Sequence, residues 1–195
     1  MRYSRYLFVL AAASLSFCPA SALAQHGGAG GGGAPVSRDS TNTSNSNLNL
    51  PDVQKVDDRK FLQDAAMSGL TEVALGKLAV DKGSSDAVKQ FGQKMIDDHT
   101  KANDELKQLA TAGGMKIPDE LDAKHQSRVD KLAKLSGAEF DKAFIKDQQK
   151  YHQQNVREFQ DEAKYGAVPQ VKDLATKSLP TLEQHLELAK NLSKK

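Results

Sequence analysis

Four long segments of this chain repeat apolar or small residues every three or four positions, which is the period of one face of an α-helix. Glycines follow three of these segments, at Gly83, Gly113–Gly114 and Gly166, where a residue without a side chain suits a helix end. Pro169 fits the first turn of the fourth segment. The pattern therefore predicts an all-α domain built from four amphipathic helices.

Local signals refine the helix ends and the packing. Ser84 can cap the second helix, and Ser136 with Glu139 three residues later forms a capping-box pattern before the third. Pro180 lies inside the fourth helix and predicts a kink there. Small residues recur along the stripes and predict a close approach of the helices: Ala65, Gly69, Gly76, Gly92 and Ala102.

The second and third helices are separated by about two dozen residues, from Gly114 to Leu135. This is too long for a tight turn between antiparallel neighbours, and it contains a short helical pattern that begins near Pro118. Such a segment suits a crossover that travels along the bundle. We therefore predict a ferritin-like up-down four-helix bundle with a long helical crossover between helices 2 and 3.

The N-terminal region has the pattern of an export signal. Arg2 and Arg5 precede a short apolar run, and Ala22-Leu23-Ala24 has the small residues of a cleavage site. We expect a signal peptide at 1–24, a disordered Gly/Ser/Asn-rich leader at 25–55, and the bundle domain at 56–195. The apolar run is too short to cross a bilayer, so no transmembrane segment is expected after cleavage.

Removal of this peptide changes the charge and the redox chemistry. Two of the 27 Lys and Arg residues lie in it, so the basic residues that remain equal the 25 acidic ones. A near-neutral chain gives no electrostatic support for binding nucleic acid. The single cysteine, Cys18, also lies in the peptide, so we expect no disulfide in the mature chain.

Each long helix carries one metal-capable side chain partway along its apolar stripe. These residues are Glu72, His99, His152 and His185. Apolar stripes normally exclude ionisable groups unless something pairs with them. Because the four lie near the middle of packed helices, they are expected at similar heights in the bundle. Three imidazoles and one carboxylate suit one divalent transition metal (Zn, Cu, Mn or Fe), with Zn and Cu favoured by the histidines.

The same residues also fit a metal-free layer. Neutral histidines and a hydrogen-bonded acid can fix the register of a bundle core without binding anything, and Gln148 and Ser178 would fit such a network. A small-molecule site is a third interpretation. Asp97 and Asp98 flank His99 but point away from it on a helix, so we expect them to face solvent, and a supporting role behind a metal ligand is the alternative. His125, on the crossover, is expected to be a surface or packing residue.

Three stretches carry a resemblance to a known family: "GLTEVALGKLAVDKGSSDAVKQFGQKMIDDHTKANDEL", "LSGAEFDKAFI" and "SLPTLEQHLELAKNL". With them, Phe61 to Leu192 resembles the bacterial exported proteins of domain-of-unknown-function family 4142. The resemblance implies a ferritin-like helical bundle and a location in the periplasm or cell envelope. It implies no established activity.

This chain differs from the family in one respect and from di-iron bundles in another. The family usually has Asp-His in the third long helix, where this chain has Tyr151-His152. Di-iron bundles use Glu-x-x-His pairs, whereas the residues three before the histidines here are Ile96, Gln149 and Leu182. The sequence therefore disfavours a di-iron centre and leaves at most a mononuclear site.

The expected function follows from these points. We predict an exported helical-bundle protein that binds one divalent metal in its core, acts in envelope homeostasis or stress, and meets an envelope partner not identified by the sequence. The alternatives are a metal-dependent enzyme of the ferritin-like class and a metal-free structural or interaction module.

Overall fold

A computed structural model describes residues 56–194, which fall within one compact unit. The expected signal peptide and leader lie outside these residues. The described residues form five α-helices: α1 (Asp58–Lys82), α2 (Asp86–Ala112), α3 (Ala123–Ala133), α4 (Gly137–Tyr165) and α5 (Pro169–Leu192). The fold prediction is confirmed, with four long helices and a short crossover helix, α3. None of the described helices is both long enough and apolar enough to cross a bilayer.

The helices form two hairpins that close into a four-helix bundle. α1 packs against α2 and α4 against α5, and the hairpins meet through α1–α4 and α2–α5 contacts. Backbone contact between Gly83 and Gly137 places the start of α4 beside the end of α1. The end of α4 lies beside the start of α1, where the Ala167 amide donates to Asp58 (2.9 Å). α4 therefore runs parallel to α2, which requires the crossover to travel the length of the bundle.

The close helix approach predicted from the small residues is present between α1 and α2. A Cβ atom built on Gly76 would lie 2.7 Å from the Gly92 carbonyl oxygen, and one on Gly92 would lie 2.7 Å from the Ala79 Cβ. Side chains larger than hydrogen at these positions would push the two helices apart. The helix stops at Gly83, Gly113 and Gly166 are also correct.

Two details of the helix starts were wrong. Ser85, rather than Ser84, caps α2, with its hydroxyl accepting from the Val88 amide (3.3 Å). The Ser136 side chain makes no capping hydrogen bond, so the capping box is not formed. Instead Asp141 on α4 accepts from the Ser84 and Ser85 amides (2.9 and 3.0 Å). The carboxylate ties the start of α4 to the α1–α2 turn, an inter-helix contact that a local pattern does not reveal.

The core consists of two apolar clusters with a polar layer between them. One cluster contains Leu75, Met95 and Phe144, and the other contains Phe61 and Leu106. The predicted metal-capable residues lie between these clusters along each helix. This arrangement removes them from water on both sides.

Candidate metal centre

Three of the four predicted residues form one buried cluster. His99, His152 and His185 each offer a ring nitrogen, and these three nitrogens lie within 4.8 Å of one another. His152 and His185 are fully buried, and only 6% of His99 is exposed. The ring centroids are 5.2 to 5.7 Å apart. We call these three residues the histidine trio.

Hydrogen bonds on the outer side of two rings determine which nitrogen each ring presents to the cluster. His152 Nδ1 lies 3.1 Å from the Gln148 carbonyl oxygen, and His185 Nε2 lies 2.7 Å from Asp98 Oδ2. A carbonyl and a carboxylate can only accept, so both nitrogens carry the proton. The opposite nitrogens, His152 Nε2 and His185 Nδ1, are 3.2 Å apart. In the neutral rings both present a lone pair, so neither can donate to the other.

Burial keeps the trio neutral. Desolvation is the main cause that lowers the pKa of His99 to about 3 and the pKa of His185 to about 4. The same cause lowers the pKa of His152. At neutral pH, therefore, no proton lies between His152 Nε2 and His185 Nδ1 to join their facing lone pairs. His99 Nε2 is also buried and has no hydrogen-bond partner among the described residues.

Glu72 lies in the same layer but outside the trio. Its Oε1 accepts from Arg128 Nη1 (3.0 Å), whereas its Oε2 is buried without a partner among the described residues. Burial acts to raise the pKa of this carboxyl, but the pKa is lowered overall, and the charge of Arg128 is the largest cause that lowers it. Glu72 is thus an ionised, fully buried carboxylate next to the histidines.

Arg128 and Asp147 complete the charged part of the layer, and sequence reasoning missed both. Arg128 comes from the crossover helix and is 8% exposed. Its Nε and Nη2 donate to Asp147 (3.1 and 2.5 Å), and its guanidinium lies 3.3 Å from the Tyr151 ring centroid. A signal was present, because Arg128 falls on the stripe formed by Leu121, His125 and Leu132. A charged residue on an apolar stripe is the same anomaly that identified the histidines.

Asp98 was predicted to face solvent, but it contacts the histidine trio. Its carboxylate accepts from both His185 Nε2 and Lys94 Nζ (2.7 and 2.9 Å), and its side chain is 29% exposed. The error arose because its neighbour in sequence, His99, is on another face of the helix, whereas its partner is on α5. Asp97 does lie at the surface, where it accepts from Gln93. His125 also stays outside the layer and bonds Asp122 on the crossover.

Comparison with known proteins identifies the family. Residues 43–192 match the model of a domain of unknown function, DUF4142. The chain belongs to this family. No curated protein matches.

One solved structure is similar to this chain, a protein from Streptomyces coelicolor described as a secreted DUF305 protein. It shares 13% identity, covers 69% of this chain and 90% of its own, and superposes with a TM-score of 0.59. At this identity the likeness supports the all-α bundle fold alone.

Proposed function

We propose that this is an exported protein of the cell envelope whose bundle core binds one divalent transition metal through His99, His152 and His185. The observation that carries the proposal is the convergence of three buried imidazole nitrogens, two of which present lone pairs to each other. Two lone pairs that face each other at 3.2 Å repel unless a cation lies between them. The outer hydrogen bonds from His152 and His185 are those that metal-binding histidines use to fix their orientation.

The distances suit a small N-binding ion. Zn–N bonds of 2.0–2.1 Å in a tetrahedral site place two ligand nitrogens about 3.3 Å apart. His152 and His185 already match this separation, and His99 needs a small side-chain movement because the longest separation reaches 4.8 Å. Zn²⁺ and Cu²⁺ fit a ligand set of imidazoles better than Mn²⁺ or Mg²⁺.

Glu72 was expected to be a fourth ligand, and we now propose a different role for it. Its Oε1 is held by Arg128, and the carboxylate is not part of the trio. Its partnerless Oε2 places negative charge beside three neutral imidazoles. That charge would compensate a bound cation from a neighbouring position and leave a coordination position open.

Metal uptake by the purified protein tests the proposal. We expect about one Zn²⁺ or Cu²⁺ per chain by calorimetric titration, and a chelator should lower the melting temperature because a ligand that binds only the folded state stabilises it. His152→Leu should abolish both effects, whereas His125→Leu should leave both unchanged. If the wild-type protein takes up neither Zn²⁺ nor Cu²⁺, the histidine trio belongs instead to a structural polar layer. Replacing the three histidines with apolar residues would then leave the stability of the fold unchanged or raise it.

Export is supported by the N-terminal pattern of the sequence. The similar Streptomyces coelicolor protein is also described as secreted. Expression of the full chain in a Gram-negative host should give periplasmic protein that begins at Gln25. A variant without residues 2–24 should stay in the cytoplasm. Recovery of both forms in the cytoplasm would contradict the proposal.

A further inference from the structure

A cavity of about 330 Å³ enters the bundle beside the histidine trio. All four long helices contribute to its wall. The wall includes His99 of the trio and Asp98, the hydrogen-bond partner of His185. The exposed lining residues are Lys101 and Glu105 on α2 and Lys177 on α5. The mouth therefore opens between α2 and α5, and the cavity leads from solvent to the edge of the proposed metal site.

The interior of this cavity is polar enough to hold a small ligand. Hydroxyl and amide side chains line it on all four long helices: Ser68, Asn103, Asn155, Ser178 and Thr181. Apolar surface comes from Leu106, Phe159 and Leu182. A few convergent polar groups in an otherwise apolar cavity are typical of ligand sites, and this volume is at the small end of their range.

We infer that this cavity admits a small monoanion, such as a short carboxylate, that coordinates the bound metal as an external ligand. The inference rests on the proposed metal site. Three protein ligands leave a tetrahedral metal one position short, which is the condition for an external ligand to bind. A divalent cation held by three neutral imidazoles attracts an anion, and the mouth does not repel one because Lys101 and Lys177 offset Glu105 and Asp98.

Azide bound to Cu²⁺ provides the test, because it produces a charge-transfer absorption band only when it coordinates the metal. The Cu²⁺-loaded protein is titrated with azide and the band is followed. Ser178→Leu narrows the cavity from α5 and removes no hydrogen bond between helices, since the Ser178 hydroxyl donates to the Leu174 carbonyl of its own helix (2.8 Å). Thr176→Leu is a matched control. Thr176 lies on an exposed position of α5, and its hydroxyl donates in the same way to the Lys172 carbonyl of its own helix (2.8 Å).

We expect azide to bind the wild-type protein and Thr176→Leu alike, and to bind Ser178→Leu at least about tenfold more weakly. Ala102→Leu, which narrows the cavity from α2, should act in the same direction if Ser178→Leu does not fold. Copper content must stay at one per chain in every variant. Full copper uptake without an azide band, or equal azide affinity in all variants, overturns this inference and leaves the metal site standing. Failure to take up copper overturns both.

Discussion

Asp98 determines which nitrogen His185 presents to the centre of the cluster. Its carboxylate accepts a hydrogen bond from the Nε2–H of His185, which keeps the proton there and leaves the lone pair on Nδ1, 3.2 Å from His152 Nε2. The same carboxylate is held from the other side by Lys94. Asp98 is therefore a positioning residue that acts on the proposed metal through His185.

Removal of this carboxylate should weaken metal binding without unfolding the bundle. We expect Asp98→Ala to lower the affinity for Zn²⁺ by about 10- to 100-fold, the usual effect of losing a partner that orients a ligand. Asp97→Ala removes an exposed carboxylate from the next position and should have no effect. Competition with a fluorescent chelator measures both. Equal affinity in the two variants would mean that Asp98 does not orient the ligand.

At the residue scale, the site was predictable wherever a helix placed an ionisable group on its own apolar stripe. His99, His152 and His185 met that condition, and the structure brings them together. Asp98 and Asp147 did not, because each contacts the layer from the edge of its helix. Their roles depend on which helix lies alongside, and a single-helix pattern does not contain that information.

At the element scale, the crossover helix is held to the bundle by one buried arginine. Arg128 reaches from α3 to Glu72 on α1 and Asp147 on α4. Apolar contacts from Val129 and Leu132 accompany it. The sequence predicted a helical crossover and the apolar residues on it, but it did not predict the buried ion cluster that joins the crossover to α1 and α4.

Replacement of Arg128 should destabilise the protein far more than a surface change on the same helix. Arg128→Met leaves the buried Glu72 carboxylate and the partly buried Asp147 carboxylate without their cation, and the loss of a buried partner costs about 3–5 kcal/mol. Lys131→Met, on an exposed position of α3, should stay within about 0.5 kcal/mol of the wild type. Urea denaturation followed by circular dichroism gives both values.

The cause of that loss can be tested with a combined variant. Arg128→Met together with Glu72→Gln and Asp147→Asn removes the unpaired charges and should recover part of the stability. No recovery would show that the lost packing of Arg128 on Tyr151, rather than unpaired charge, accounts for the effect.

At the scale of the whole molecule, buried ionisable groups occur at two levels, and their pH effects have opposite signs. In the metal-free trio the folded-state pKa values lie below the usual value for histidine. Their stabilising contribution is complete above about pH 7 and falls as the pH decreases from about 6.5 towards 4, because the unfolded chain binds the protons first. Bound metal would extend the stable range downwards, since protons must compete with it.

Glu162, at the far end of α4, acts in the other direction. It is fully buried, and neither of its carboxyl oxygens has a hydrogen-bond donor among the described residues. A Cβ on Gly166 would lie 2.7 Å from the Glu162 carbonyl oxygen and 2.1 Å from its Oε1, so a larger residue where α4 ends would force the backbone to shift. Burial, followed by the adjacent Asp58 carboxylate, raises the pKa of Glu162 to about 7. The folded chain therefore holds this proton more tightly than the unfolded one.

The free energy of unfolding should fall as the pH rises from about 4.5 to about 7, because Glu162 ionises more readily in the unfolded chain than in the folded one. Glu162→Gln imitates the protonated acid and removes that dependence. We expect this variant to be about 1–3 kcal/mol more stable than the wild type at pH 8, with the difference shrinking towards pH 4. Glu158→Gln, one turn earlier and exposed, is the control. Because the histidine contribution is common to all three proteins, the difference between their denaturation curves isolates Glu162. A constant difference from pH 4 to pH 8 would show that folding does not raise the pKa of this carboxyl.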